Sequence, residues 1–328
     1  MSSHNAYKKR REIAILGIEA TPGTVASKKY AYRWLTKGLR SIPNILENES
    51  GIGEDTRVND SAIDVWHSEG PLGGKVTEDG IGYLNNGMFN KLTTVDNLDG
   101  TYTHSFERDK TVARKTLSVW DVRPAGTRLY KSLYMDNLNL TVEVGEAGAW
   151  LEASTAFKGW KHEDVTPVTQ AFVVDEKEFT SRHVKLLIAD DVAGLAVEAT
   201  ARAKPRSITL EMEETVSVDH YVGETNNDPE FDSAPAEVRG TMVIKYKKTD
   251  FEDDYFVNKV HAMRLIVTNG ASTFDYTGTK VRFREVTDSD GRDDIVTQTI
   301  SFFFEADMAN GGKDIVSTVT NEVASFTV

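Results

Sequence analysis

The stretch Leu138-Asn-Leu-Thr-Val-Glu-Val144 alternates apolar and polar residues one by one, and it is the best guide to the fold class. An alternation of period two indicates a β-strand with one buried face. The same pattern recurs in residues 208–212, 242–246 and 300–304. After Met212 the phase slips by one position, which predicts a β-bulge between Glu213 and Glu214. Strands of this kind dominate the chain.

Helical spacing occurs in two places. Residues 79–90 have apolar side chains at helical intervals after an acidic residue, and residues 250–264 have an apolar face, acids in the first turn and a basic residue at the end. We therefore predict an all-β fold with two short helices packed on a sheet.

Composition limits the possible functions. The chain has 328 residues, enough for two domains of about 150 each, and no cysteine. Disulfides, thiolate metal sites and a cysteine nucleophile are therefore excluded. No apolar run approaches the roughly 20 residues of a membrane helix, and the polar N-terminus is not a secretory signal. These features predict no membrane contact and synthesis in the cytoplasm.

The net charge is −13, from 51 acidic and 38 basic residues. This balance argues against a surface that grips nucleic acid, because phosphate binding requires clustered Lys and Arg. The one basic cluster, from Lys8 to Arg11, lies at the N-terminus and predicts a solvated arm over about residues 1–11.

Two long polar segments, residues 51–69 and 223–237, are predicted to be loops, and their length indicates a function. The triplet Arg40-Ser-Ile precedes the first segment, and Arg206-Ser-Ile precedes the second, near half the chain length further on. After each segment come a strand pattern, a helix candidate and further strands. This order predicts an internal duplication, with domains at residues 1–162 and 163–328.

No convergent catalytic pattern is present. The segment Gly70-Pro-Leu-Gly-Gly-Lys-Val76 is one residue short of a phosphate loop and lacks its hydroxyl residue, and the histidines lack metal-site spacing. We predict that the protein is not an enzyme and has no catalytic, metal or cofactor site.

Several segments of the first half occur in an order typical of one family. They are Gly17-Ile-Glu-Ala-Thr-Pro-Gly-Thr24, Trp34, Gly38-Leu39, Gly80-Ile-Gly-Tyr-Leu84, Tyr102-Thr-His-Ser-Phe106, and the strand from Tyr134 to Glu143 with its glycine-rich turn. Over about residues 12–160 the sequence resembles the phage tail tube protein family, in particular the major tail tube proteins of phages with long, non-contractile tails. The second half is connected to the family only through the duplication.

The resemblance implies duplicated β-sandwich or partial-barrel domains, six of which form a ring whose inner strands close a β-barrel. A duplicated chain would form this ring from three copies with pseudo-sixfold symmetry; a ring of six chains is the alternative. Stacked rings would form a tube in the virion tail through which DNA passes without specific binding. The resemblance also implies tape measure, tail tip and tail terminator proteins as partners.

Two sets of residues are candidates for these roles. The polar positions of the longest alternating strands are predicted to line an acidic lumen: Asn139, Thr141, Glu143, Thr209, Glu211 and Glu213. The polar segments are predicted to contact neighbouring subunits or rings through Glu54, Asp55, Arg57, Asp60, Asp64, Asn226, Asp228 and Asp232. A β-sandwich virion decoration or host-adhesion module has the same composition and stays open as an alternative.

Overall fold

The computed structural model describes residues 7–145, 148–197, 202–221, 223, 229–246, 250–289 and 295–326. Strands dominate these residues, which confirms the predicted all-β class. The first half contains β1 (Ile13–Ile18), β2 (Tyr30–Tyr32), β3 (Trp34–Lys37), β4 (Arg40–Asn48), β5 (Asp60–Lys75), α1 (Gly80–Met88), β6 (Lys91–Asp96), β7 (Tyr102–Glu107), β8 (Leu117–Arg123), β9 (Gly126–Glu143), β10 (Glu152–Gly159) and β11 (Glu163–Val165).

The second half repeats a similar series. It contains β12 (Val184–Ala189), β13 (Arg202–Ala203), β14 (Pro205–Glu213), β15 (Val216–Asp219), β16 (Glu230–Ser233), β17 (Glu237–Lys245), α2 (Asp250–Phe256), β18 (His261–Asn269), β19 (Ser272–Asp288), β20 (Thr297–Phe304) and β21 (Val316–Asn321). Short 3-10 turns lie at Lys9–Arg11, Ser181–His183, Gly194–Ala196 and Met308–Asn310. The predicted phase slip is a short break between β14 and β15.

Both predicted helices exist, but the second is shorter than predicted. Helix α1 is entirely buried, and Gly82 has no room for a side chain because a Cβ atom there would lie 2.0 Å from Phe326 Cζ. Helix α2 ends at Phe256, and Asn258 has a left-handed φ of 50°. The prediction that this helix continues to Arg264 was wrong, because residues 261–267 form a strand in which Met263, Leu265 and Val267 are buried alternately.

The predicted loops are strands in part: residues 51–59 and 234–236 are not in strands, as predicted, but other parts of both segments are. Residues 60–69 belong to β5, and residues 230–233 form β16. The period-two pattern of Ile63 and Val65 is short and lies among polar residues, so composition concealed it. The two segments are hairpin arms: the first arm is the ribbon of β4 and β5 over residues 45–63, and the second arm is the hairpin of β15 and β16 over residues 216–233. Residues 224–228 lie outside the described residues.

A central antiparallel sheet runs through both halves. Its order is β3 and β4 together at one edge, then β5, β10, β9, β14, β17, β20 and β19. Strands β9 and β19 are 18 and 17 residues long, and their first parts continue into outer layers. One outer layer is β2–β1–β8–β9–β11; the other is β13–β12–β18–β19–β21, extended by β7 and β6.

The largest apolar core lies between the central sheet and the outer layers. Leu138, Leu140 and Val142 of β9 are buried in this core, and Ile208, Leu210 and Met212 of β14 continue it into the second half. The alternate residues of both strands therefore face away from the core.

The two halves pair their strands in the same register. The pair Arg40 and Glu69 of β4 and β5 has its counterpart in the pair Glu211 and Arg239 of β14 and β17. The register irregularities also correspond. The pairing skips Leu35 in β3 and Arg206 in β14, which are counterparts. It likewise skips Asp136 in β9 and Arg284 in β19.

A pair of glycines follows the same correspondence. A Cβ atom on Gly70 would lie 2.4 Å from the carbonyl oxygen of Gly38, and one on Gly240 would lie 2.3 Å from that of Thr209. Gly38 and Thr209 are separated by the same length of chain as Arg40 and Glu211. The alignment indicated by the Arg-Ser-Ile triplets is wrong, because strand register matches Arg40 with Glu211 rather than with Arg206.

Candidate functional site

The side of the central sheet that faces away from the core is called the polar face here. Residues directly opposite each other across a ladder share a face, so the registers define it. Thr141 lies opposite Thr209, Thr209 opposite Thr241, and Thr241 opposite Ser301. This row of hydroxyl groups crosses the boundary between the two halves.

The structure brings the six predicted lumen residues together on this face. Asn139 lies opposite Glu211, and Thr141 lies opposite Thr209, where β9 and β14 meet. Glu143 lies opposite Ser207, and Glu213 lies opposite Asn137. The alternation in the sequence indicated the shared face, but it contained no information on the pairing between the halves. That this face lines a lumen stays a prediction.

The polar face carries charges of both signs. Over the described residues its acids are Glu69, Glu143, Glu152, Glu211, Glu213, Glu237 and Glu285, and its bases are Arg40, Lys75, Lys158, Arg239, Lys245 and Arg282. Arg239 is within 2.8 Å of Glu211, 3.3 Å of Glu213 and 3.1 Å of Glu237. The face is therefore rich in hydroxyl and amide groups and only slightly acidic, less so than the overall charge suggested.

The central sheet has an unpaired edge in each half. Among the described residues, β3 and β4 pair only with β5, and residues 282–288 of β19 pair only with β20. Unpaired edges expose backbone donors and acceptors that can pair with another strand. Pro43 in β4 lacks an N–H group, as is common in edge strands.

The junction between the halves shows how such edges pair. Strand β9 is the last strand of the first half and β14 the first of the second, and they pair continuously from Ser207 opposite Glu143 to Glu213 opposite Asn137. Residues 282–288 of β19, which leave one edge unpaired, are the counterpart of β9, and β3 and β4 at the opposite edge are the counterpart of β14.

The residues predicted to contact neighbouring subunits or rings lie in the two arms. Glu54, Asp55 and Arg57 are in the exposed turn of the first arm, and Arg57 pairs with Glu49 at 2.8 Å. Asp60 and Asp64 are exposed on β5, and Asp232 is exposed on β16. Asn226 and Asp228 lie outside the described residues. Any contact of these side chains with other subunits stays a prediction.

A cluster of carboxyl groups lies where the first half meets the connecting segment and the C-terminal segment. Tyr30 donates a hydrogen bond of 2.6 Å to Glu176, and burial raises the pKa of Glu176. Burial and the neighbouring charge of Glu176 raise the pKa of Asp79 to about 7. Asn321 donates to the Asp79 carboxyl at 3.3 Å. No pattern in the sequence indicated this cluster, because its members are far apart along the chain.

Neither a membrane helix nor a metal centre is found among the described residues. No helix there is long and apolar enough to span a bilayer. Within the same ranges, no three His, Asp or Glu side chains are grouped so that they could hold a metal ion.

A water-exposed sheet face, unpaired sheet edges and projecting arms are features of all-β proteins that can assemble edge to edge. The chain matches the phage tail tube protein family over residues 11–306, and it belongs to this family. It is therefore a structural component of a phage tail that assembles into a tube, and its family is not an enzyme family. No match to a curated protein is found.

Proposed function

We propose that three copies of this chain form one ring of the tube of a long, non-contractile tail, by repeating the β9–β14 junction between neighbouring chains. The observation that supports this proposal is the agreement between the paired junction and the unpaired edges. Each chain has a β9-like strand whose outer edge is unpaired at one end of the sheet and β14-like strands whose outer edge is unpaired at the other. Such a head-to-tail contact produces a ring when its rotation closes.

The register of the contact between chains follows from the register within the chain. Glu211 lies opposite Asn139. Arg40 is the counterpart of Glu211, and Thr287 is the counterpart of Asn139, because β9 and β19 have the same irregularity in their pairing. Arg40 of one chain therefore lies opposite Thr287 of the next. Both residues are exposed in the single chain, as the proposal requires.

The size of the ring is suited to DNA. Each chain has eight strand positions in the central sheet, so three chains form a barrel of roughly 24 strands. With a spacing of about 4.8 Å and a tilt of about 40°, the barrel is about 45–50 Å across between backbones. A lumen of this width accommodates a duplex together with the side chains of the wall.

In this arrangement the polar face lines the lumen, with Thr209, Glu211 and Glu213 beside Asn139, Thr141 and Glu143. Mixed charges and hydroxyl groups form no continuous basic track, so phosphates are not held. The excess of carboxylates repels DNA at short range, within the screening length of about 8 Å at physiological salt. DNA therefore slides during ejection without sequence recognition.

The halves, residues 1–162 and 163–328, are duplicated tube domains in this proposal, and their common register supports the duplication. The boundary is close to β11, which still pairs with β9 of the first half. The arms connect neighbouring subunits and stacked rings. The tape measure, tail tip and tail terminator proteins are the other partners, and the protein is made in the host cytoplasm.

Electron cryomicroscopy of the purified, assembled protein tests this proposal. We expect tubes of stacked rings with threefold symmetry and a pseudo-sixfold inner barrel. A ring of six chains would contradict the proposed stoichiometry. Compact particles without rings, at concentrations at which tail tubes form, would contradict ring formation and favour a decoration or adhesion module.

A further inference from the structure

We propose that the first arm of one chain docks on the C-terminal end of α2 in the neighbouring chain of the same ring, where Ile45 and Ile63 cover Phe256 and Val257. This inference rests on the proposed ring, and it names the contact that holds neighbouring chains together outside the barrel.

The second arm shows the docking within one chain. Val216 is completely buried; its N–H donates to Asp136 at 2.7 Å, and its carbonyl accepts from Lys158 Nζ at 2.6 Å. The rings of Phe231 and Tyr134 are 5.2 Å apart. These contacts attach the second arm to the strands of the first half beside the β9–β14 junction.

The first arm has the same construction without a partner. Ile45 is the counterpart of Val216, and Ile63 is the counterpart of Ser233, because both pairs lie opposite each other in the same register. Val216 has no exposed surface, whereas Ile45 is 56% exposed and Ile63 is 53% exposed. Apolar side chains at these positions of a two-stranded ribbon indicate a surface that another chain covers.

The corresponding docking position in the second half is also apolar and exposed. Arg114 donates to Ser233 of the second arm at 2.6 Å and lies over the ring of Tyr134. By strand register, the counterpart of Arg114 is Asn258 and the counterpart of Tyr134 is Arg282. Arg282 donates to the Asn258 carbonyl, so these counterparts are also in contact.

The residues directly before Asn258 are Phe256 and Val257, which are 72% and 73% exposed at the end of α2. If the docking is repeated between chains, Ile63 of one chain lies against Phe256 and Val257 of the next. This apolar contact corresponds to the polar contact between Ser233 and Arg114 within the chain. Each partner supplies apolar surface that the single chain leaves in water, so the contact buries both.

The chemical difference between the two arms also prevents them from exchanging docking positions. The second arm is preceded by Glu214, whose carboxylate is 3.2 Å from Arg114. The first arm has Pro43 at the corresponding position, which has neither the carboxylate nor an N–H group. The first arm therefore cannot replace the second arm at the site of Arg114, and each arm has one docking position.

Because the chain contains no cysteine, disulfide mapping has no background. The test variant combines Ile63→Cys with Val257→Cys, and the matched control combines Leu98→Cys with Val257→Cys. Leu98 is 90% exposed on the turn between β6 and β7, away from the proposed contact. All three positions are exposed, and thermal melting of each variant checks the fold.

In assembled tubes we expect the test variant to link chains on oxidation at least tenfold more than the control, in products of no more than three chains. Products longer than three chains, in tubes where Arg40→Cys with Thr287→Cys links no more than three, would place the first arm between rings and overturn the inference. Failure to link would also overturn it, if a second variant, Arg40→Cys with Thr287→Cys, links in the same tubes. Absence of both tubes and this second link would instead contradict the proposed function.

Discussion

Truncation to alanine should have different effects at two equivalent positions, Val216 and Ile45. At Val216 it should mainly weaken folding, and at Ile45 it should mainly weaken assembly. Val216→Ala removes two methyl groups from a completely buried side chain. At about 0.8 kcal/mol per buried carbon plus a cavity, the unassembled chain should lose about 1.5–2.5 kcal/mol of unfolding free energy. Ile45→Ala removes a side chain that is 56% exposed, so the unfolding free energy of the unassembled chain should fall by only about 0.7–1.3 kcal/mol.

Assembly should show the opposite order. Complete burial of an isoleucine is worth about 1.5–3 kcal/mol, and about half of that area remains to be buried at Ile45. Ile45→Ala should therefore weaken each contact between chains by about 1–1.5 kcal/mol, which raises the protein concentration needed for tubes about five- to tenfold.

Urea unfolding of the unassembled chain and sedimentation of tubes over a dilution series measure the two effects. Ile45→Ala tubes that persist to the wild-type dilution would contradict a buried Ile45 between chains. A Val216→Ala chain with wild-type stability would contradict the docking of the second arm.

Three further tests concern other parts of the structure. Because the pKa of Asp79 is raised to about 7, its protonated carboxyl group stabilises the folded chain. This stabilisation is complete below pH 3.8, the ordinary pKa of the group, and it is lost as the pH rises through 7. At pH 8 the unfolding free energy of Asp79→Asn, measured with urea, should therefore exceed that of the wild type by on the order of 1–2 kcal/mol after allowance for solvent screening. At pH 4 the two chains should have equal unfolding free energies. No difference at pH 8 would contradict this prediction. Gly240→Ala should lower the unfolding free energy by about 1–3 kcal/mol in the same assay, because its Cβ atom would lie 2.3 Å from the Thr209 carbonyl oxygen. The control Gly51→Ala should leave the unfolding free energy unchanged, because no atom lies within 4 Å of a Cβ at that position. Glu211→Lys combined with Glu213→Lys should leave ring formation intact and make the tubes retain duplex DNA in a salt-dependent manner, measured by co-sedimentation; wild-type retention would exclude these residues from the lumen.

The sequence was sufficient for the strands and for the shared face of their polar residues. Alternation at Leu138, Leu140 and Val142 is a local property, and these residues are buried as it requires. The pairing of β9 with β14 could not be predicted, since it joins residues far apart along the chain and several registers satisfy the same alternation.

Two errors had local causes. The helix predicted to reach Arg264 ends at Phe256, because the left-handed Asn258 turns the chain into a strand although Val260 and Met263 continue the helical spacing. The prediction of loops failed for residues 60–69 and 230–233, because acids and other polar residues outnumber the few strand-forming residues there. The duplication was predicted from the order of elements, whereas the matching triplets aligned positions that do not correspond in strand register.

Linking the proposed strand contact is the decisive experiment for the head-to-tail ring. A chain with Arg40→Cys and Thr287→Cys places one cysteine on each unpaired edge, at positions that should lie opposite each other between chains. After oxidation of assembled tubes and denaturation without reductant, we expect linked products that end at three chains. A control with Arg40→Cys and Asp288→Cys, whose side chains point to opposite faces, should remain largely unlinked. Products that continue to six chains or beyond, or equal linking of both variants, would contradict a three-chain ring closed in this register.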